Sequence, residues 1–223
     1  MPTKSIPADI LDRFQIEEHR HALTILSGSC APELADIIAG LRQFELLRSE
    51  IKAKGGSKTK IVIRLEKLFG SMGWQEESSK IEVKVNDRIR QATTHSIDLC
   101  KGRIACEIQW NSKDGVFSRD LATLRLLHEL DVISVGVIIT RCDDLQGLFK
   151  SLGLADDGKP ISEKYGASTT HWGKLKDRIQ NSDAGMCPVL LIGIGLKCYR
   201  DDISDVPIRL PPTKLKRERK PKV

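Results

Sequence analysis

With 223 residues, 40% of them hydrophobic and 30% charged, the chain has the composition of one ordinary globular domain with a substantial core. It lacks an apolar run long enough to cross a bilayer and a signal-peptide pattern near its start, which argues against membrane and secreted proteins. Its six cysteines are scattered without a C-x-x-C pair, which favours reduced thiols over disulfides or a zinc site. We therefore expect a cytoplasmic protein.

The net charge of +6 is concentrated at the C-terminus. Residues 213–223 hold six basic residues and one acid, a net +5, which leaves +1 for residues 1–212. This basic tail could bind phosphates irrespective of base sequence, or it could serve only as a solubilising end. Both interpretations stay open.

Two helices are predicted in the N-terminal part, residues 1–54. Apolar residues at helical spacing predict a first helix over 8–27 and a second over 32–54. Gly28 is the signal for the end of the first helix, and Pro32 is the signal for the start of the second. We expect these helices to pack in the core or to form a dimer interface.

A glycine-containing basic loop follows, and it carries Lys58 and Lys60. It lacks the order and length of a P-loop, so we expect no nucleotide cofactor. The loop could run along a DNA backbone or act as a plain linker. The sequence then predicts a helix over 61–72 and a half-buried strand over 80–85.

The segment 96–110 predicts two strands joined near Lys101 and Gly102. Its second strand alternates with period two, so that one face can be buried while Glu107 and Gln109 lie together on the other face. Asp98 precedes Glu107 by nine residues, and a twisted hairpin could bring the two carboxylates together to hold Mg²⁺. The alternative is structural: Asp98 caps the turn and Glu107 pairs with Arg103.

The remaining elements predict an α/β fold with a mixed β-sheet flanked by helices. We expect helices over 116–130, 143–155 and 172–180, with a long polar loop over 156–171. The apolar runs 132–140 and 188–195 predict strands buried on both faces, and a parallel crossover over 103–140.

The pattern Asp98, eight residues, Glu107-x-Gln109 resembles the active-site segment of type II restriction endonucleases of the BglII and BstYI kind. These enzymes belong to the PD-(D/E)xK nuclease superfamily, with Gln where most members have Lys. The strands 101–110, 133–140 and 188–195 are also similar to theirs, so that the resemblance covers roughly 55–195.

This resemblance implies a restriction-endonuclease-like core over 55–195 within a single nuclease domain, residues 1–212. Asp98, Glu107 and Gln109 would be catalytic, and Asp98, Glu107 and the Ile108 backbone carbonyl would bind Mg²⁺. Glu66 is a candidate additional acid. The protein would be a homodimer that cuts duplex DNA at a short palindrome, built on a central GATC, and leaves 5′-phosphate and 3′-hydroxyl ends.

The resemblance also places base recognition in two loops. The first follows the catalytic strand and holds Asn111, Ser112, Lys113 and Asp114. The second holds Ser168, Thr169, Thr170 and His171. The five histidines show no metal-ligand spacing, so we expect them to be surface or core residues.

Two other functions stay open: a non-enzymatic DNA-binding regulator with a degenerate site, and a repair or mobile-element nuclease of the same superfamily. The presence of both Asp98 and Glu107 favours an enzyme.

Overall fold

The computed structural model describes residues 5–203 apart from 57, 79, 87, 94 and 114, and only the backbone of 80–85 and 88–93. The basic tail and Asp114 therefore lie outside the described residues. The helices are α1 (Ala8–Arg13), α2 (Ala22–Gly28), α3 (Ala31–Gln43), α4 (Arg48–Lys52), α5 (Lys60–Gly70), α6 (Gly115–Glu129), α7 (Leu145–Ser151), α8 (Ile161–Lys164) and α9 (Trp172–Gln180). The strands are β1 (Phe14–His19), β2 (Leu46–Leu47), β3 (Gln75–Glu77), β4 (Lys80–Val85), β5 (Arg88–Thr93), β6 (Ile97–Lys101), β7 (Ile104–Gln109), β8 (Val135–Arg141), β9 (Val189–Ile194) and β10 (Tyr199–Arg200).

A mixed six-stranded sheet forms the centre of the fold, in the order β1-β9-β8-β7-β6-β3. Strands β7, β8 and β9 run parallel to one another, whereas β6, β3 and β1 join antiparallel to their neighbours. The helix α6 connects the parallel strands β7 and β8, as the predicted crossover requires. The predicted α/β class is confirmed.

Helices cover both faces of this sheet. Every residue of β7, β8 and β9 is buried, as expected for parallel strands with helices on each side. The alternation within β7 directs Ile104, Cys106 and Ile108 into the core shared with α1, α2, α3, α5 and α7. Ala105 faces the second core, against α6 and α9. Glu107 and Gln109 share the parity of Ala105 and lie together on the α6 side, as predicted, and this second face of the strand is buried as well.

The central hairpin forms as predicted. Strands β6 and β7 pair antiparallel, with Leu99 opposite Cys106 and Lys101 opposite Ile104. Gly102 occupies the turn with φ of +54°, where a side chain would collide with the Glu33 carboxylate as well as strain the backbone.

The predicted first helix, 8–27, is wrong. The chain forms α1, then β1, which pairs with β9 at the sheet edge from Phe14–Ile194 to His19–Val189, and then α2. Arg20 and His21 take left-handed backbone conformations, with φ of 52° and 58°, which end the strand before α2 begins. Pairing with β9 supplies β1 with hydrogen bonds that no local pattern reveals.

The predicted second helix, 32–54, divides into α3, β2 and α4. The apolar residues of this region enter the chain's own core and are almost fully buried: Leu34, Ile37, Leu41, Leu46 and Ile51. These residues therefore take the first of the two expected roles, packing in the core, and a dimer interface in this region stays a prediction.

The other predicted elements agree within a few residues, and the chain also forms elements that were not predicted: β3, β5, β10 and α8. Strand β4 pairs with β5 as a separate hairpin, and the predicted loop 156–171 contains the short helix α8.

In the described part of the chain, no single helix is long and apolar enough to span a membrane. The helices α2 and α3, which meet at 108°, reach the required length and hydropathy only when they are taken together. The six cysteines are free thiols.

Candidate active site

The hairpin brings Asp98 and Glu107 together. Because Leu99 lies opposite Cys106, the next position along the ladder places Asp98 opposite Glu107. There the Ile108 backbone N–H donates to Asp98 Oδ2 at 2.8 Å. Asp98 therefore contacts β7 itself and does not cap the turn. Arg103 bonds to Ser134 and Asp131, so the pairing of Glu107 with Arg103 is also wrong.

Two residues that the sequence reasoning left out complete the site: His95 and Asp120. His95 Nε2 lies 2.9 Å from Glu107 Oε1 and 3.3 Å from Asp120 Oδ1. Candidate ligand atoms of His95, Glu107 and Asp120 all lie within 4.8 Å of one another. The expectation that every histidine is an ordinary surface or core residue is therefore wrong for His95.

A signal for Asp120 is present in the sequence. The buried stripe of α6 contains Phe117, Leu121 and Leu124, and Asp120 lies between them at helical spacing, fully buried. A carboxylate on the apolar face of a helix is rarely buried unless it has partners, so its position indicates a functional or structural role. His95, in the segment before β6, has no comparable signal.

Gln109 is held by Asp120. Its Nε2 donates to Asp120 Oδ2 at 2.7 Å, while its Oε1 is buried without a hydrogen-bond partner in the protein. Asp120 Oδ1 accepts from Arg119, at 2.9 and 3.1 Å. Within the site Gln109 thus offers an acceptor oxygen.

The site concentrates negative charge in a dry environment. Glu107 is 2% exposed, and burial together with the charges of Asp120 and Asp98 raises its pKa to about 10. Burial also raises the pKa of Asp120 and lowers that of His95. Carboxylates gathered without full compensation are the donor set that a hard divalent cation stabilises.

A cleft of about 240 Å³ opens beside these residues. Its lining comprises Gly56, Lys58, Thr59, Val62, Asp98, Ile108, Gln109, Trp110, Asn111, Ser112 and Arg119. Lys58 Nζ lies 2.6 Å from Glu66 Oε1, and its pKa is raised by that bond. Glu66 is therefore paired with Lys58 and is not one of the cleft-lining residues. Lys60 is exposed at the first position of α5.

The two predicted recognition loops meet. Lys113 forms a β-bridge with Thr169, and the Thr170 N–H donates to the Ser112 carbonyl at 2.8 Å. Ser168 is exposed, whereas Thr170 is completely buried. The Nδ1 atom of His171 lies 2.5 Å from Asp143 Oδ1.

Arg141, at the end of β8, anchors the second loop. It is 1% exposed, and its guanidinium donates to the carbonyls of Tyr165 and Gly166 and to Thr169 Oγ1, at 2.9–3.2 Å. Burial lowers its pKa to about 10. The sequence reasoning had assigned Arg141 no role.

The family model of the restriction endonucleases BglII and BglIII matches residues 14–194, well over half of the chain. This segment begins with the first residue of β1 and ends with the last residue of β9, and so contains the whole six-stranded sheet. No curated protein matches the chain. The chain belongs to the BglII/BglIII restriction endonuclease family, whose members are sequence-specific DNA endonucleases.

Proposed function

We propose that this protein is a Mg²⁺-dependent type II restriction endonuclease that acts as a homodimer on a short palindrome in duplex DNA. It would leave 5′-phosphate and 3′-hydroxyl ends and would work in the cytoplasm. The observation that carries the proposal is the convergence of Asp98, Glu107 and Gln109 on one hairpin in a chain of this family, with Asp98 and Gln109 lining the cleft and Glu107 buried beside it.

The residues present suit Mg²⁺. Asp98 and Glu107 supply carboxylate oxygens, and the Ile108 carbonyl is the third proposed ligand. The high pKa of Glu107 supports this choice, because a buried carboxylate beside two others is poorly compensated by the protein alone. Bound Mg²⁺ would acidify its water and neutralise charge that develops on the phosphate.

The chain's own residues would orient the reaction. Gln109 Oε1, with no partner in the protein, is positioned to accept a hydrogen bond from the attacking water. Lys58 and Arg119 line the cleft and would contribute positive charge toward the phosphate backbone. A neutral amide adds no charge of its own, so these cations matter more here than they would with a catalytic lysine.

Base recognition would lie in the joined loops. Asn111, Ser112, Lys113 and Ser168 are at least partly accessible and would face DNA. Thr169, Thr170 and His171 would mainly hold the second loop in place, because each contacts another part of the chain. Lys60 and the basic tail would contact phosphates.

Dimerisation follows from the symmetry of the target. One active site per chain cuts one strand, so a double-strand break at a palindrome calls for two chains related by the dyad of the DNA. Light scattering of the protein, free and on cognate DNA, measures this directly. A monomer in both states would contradict the dimer.

Plasmid digestion tests the activity. The purified protein with Mg²⁺ should yield discrete fragments, and sequencing their ends gives both the site and the overhang. Asp98→Asn and Glu107→Gln should abolish cleavage and retain DNA binding in Ca²⁺. Glu129→Gln, on the exposed side of α6, is the matched control. Specific binding without cleavage by the wild type would instead indicate a non-enzymatic regulator.

A further inference from the structure

The candidate site contains a nitrogen donor that the proposed Mg²⁺ ligands leave unused. His95 Nε2 lies against one oxygen each of Glu107 and Asp120, and its ring is 19% exposed toward the surface. This imidazole has an accessible edge and a buried, negatively charged edge. Whether His95 can bind a cation depends on whether Nε2 carries a proton or a free lone pair toward the two carboxylates.

The hydrogen bonds of Thr123 determine which ring nitrogen of neutral His95 carries its proton. Thr123 Oγ1 donates to the Arg119 carbonyl at 3.1 Å and lies 3.1 Å from His95 Nδ1. With its hydrogen on that carbonyl, Thr123 accepts from Nδ1–H, and this is the tautomer that a metal on Nε2 requires. The Nε2 lone pair then points at Glu107 and Asp120. Metal-binding histidines are commonly held in this way through their second nitrogen.

The three atoms that face one another can share a positive charge, which is a proton in the metal-free protein and which a metal cation would replace. The two separations from His95 Nε2, 2.9 and 3.3 Å, are close to the roughly 3 Å expected between adjacent ligands when bonds of about 2.1 Å meet at right angles. Gln109, 5% exposed, leaves its Oε1 unpartnered beside the same carboxylate, Asp120. The buried site therefore has unused acceptor capacity.

The charges of the site also match a divalent cation. Asp98, Glu107 and Asp120 carry three negative charges when ionised, and Arg119, bonded to Asp120, carries one positive charge. Lys58 is balanced by its own partner, Glu66. The net charge of −2 is the complement of a divalent ion.

We propose that His95, Glu107 and Asp120 form a second cation subsite, with one imidazole nitrogen and two carboxylate oxygens, that prefers Mn²⁺ and similar transition metals to Mg²⁺. Imidazole suits transition metals, whereas Mg²⁺ favours oxygen ligands alone. The subsite shares Glu107 with the proposed Mg²⁺ ligands, and in this respect it rests on the proposed function. His95 and Asp120 are its distinguishing ligands.

Pulsed electron paramagnetic resonance of the full chain with Mn²⁺ alone tests the subsite. The wild type should show coupling of Mn²⁺ to an imidazole ¹⁴N nucleus, and His95→Ala should lose it. By calorimetry, His95→Ala should weaken Mn²⁺ binding at least about tenfold and change Mg²⁺ binding by less than about twofold. Thr123→Val should retain the ¹⁴N coupling and weaken Mn²⁺ binding about tenfold.

His21→Asn is the control variant, because His21 is exposed and its left-handed backbone suits Asn. It should bind Mn²⁺ as the wild type does. Absence of ¹⁴N coupling in the wild type would overturn the proposal, and so would its persistence in His95→Ala. Cleavage with Mg²⁺ but no ¹⁴N coupling would contradict the second subsite and leave the proposed nuclease function standing. Coupling to ¹⁴N without any cleavage would contradict the nuclease function and leave the subsite standing.

Discussion

Asp120 Oδ2 accepts a hydrogen bond from Gln109 Nε2 at 2.7 Å, and this contact orients the amide of Gln109 beside the candidate active site. An ionised carboxylate can only accept, so it holds the NH₂ group of Gln109 and leaves Oε1 for another partner.

Asp120→Ala should slow cleavage at least about tenfold, or about 1.4 kcal/mol, mainly through kcat. The amide of Gln109 would lose its orientation and keep no buried partner. The free energy of unfolding should fall by an amount at the low end of about 1–3 kcal/mol. The loss is small because the change also removes the repulsion between Asp120 and Glu107. Steady-state kinetics and urea unfolding measure the two effects, with Glu129→Gln as the control on the same helix. Unchanged kcat would show that Asp120 does not position Gln109.

Glu107→Gln should stabilise the metal-free protein increasingly as pH rises. The pKa of Glu107 is about 10 in the folded state against an ordinary 4.5, so between these values the folded protein holds a proton that the unfolded chain releases. The free energy of unfolding therefore falls with rising pH, by at most about 1.4 kcal/mol per pH unit from this group. Because glutamine does not titrate, the Glu107→Gln variant lacks this fall in stability with rising pH.

Urea unfolding in EDTA at pH 6 and pH 8 measures this difference. The advantage of Glu107→Gln over the wild type should be larger at pH 8, while Glu129→Gln, an exposed position, should show no such trend. An equal difference at both pH values would mean that Glu107 is already ionised when folded.

Arg141→Met should impair discrimination between cognate DNA and sites with one altered base pair. The change leaves the carbonyls of Tyr165 and Gly166 and the Thr169 hydroxyl without their buried donor, so the second loop loses its anchor. We expect discrimination to fall about tenfold and stability to fall by about 1–3 kcal/mol. Ratios of kcat/KM on cognate and altered sites report the first effect, and Arg125→Met, at an exposed position, is the control. Lower stability with unchanged discrimination would remove the second loop from base recognition.

Asn111→Ala and Lys113→Ala should each cost about 1–3 kcal/mol on the preferred site and relax selection at one base pair. Asn111 and Lys113 lie on the loop that continues directly from the catalytic strand and that bridges to Thr169. Sequencing of cleaved ends from a randomised library gives the preference at each position. Unchanged preference in both variants would place recognition elsewhere.

Removal of residues 213–223 should weaken DNA binding about equally for all sequences. The six basic residues would contact phosphates, which carry no base information, and each lost contact should flatten the slope of log K against log salt by about 0.9. Fluorescence anisotropy over a salt series measures the slope, and a tail of Gly and Ser of equal length separates charge from length. A changed cleavage sequence in the truncated protein would mean that the tail takes part in base recognition.

Local pattern determined much of this protein. The period of two in 104–110, the continuous apolar runs of β8 and β9, and the helical spacing in α5, α6 and α9 are each set by neighbours along the chain. The Asp98, Glu107 and Gln109 motif was visible for the same reason, since all three residues lie on one hairpin.

Tertiary structure decided the remaining features, because the residues that interact to form them lie far apart in the sequence. Strand β1 exists through pairing with β9, some 170 residues later, which overrides the helical pattern of 8–27. His95 and Asp120 reach Glu107 when α6 packs on the sheet, and the two predicted recognition loops meet through the Lys113–Thr169 bridge and the Thr170–Ser112 hydrogen bond. The proposed catalytic motif could therefore be found from sequence, but the contacts that its neighbours His95, Asp120 and Arg119 make could be found only from the fold.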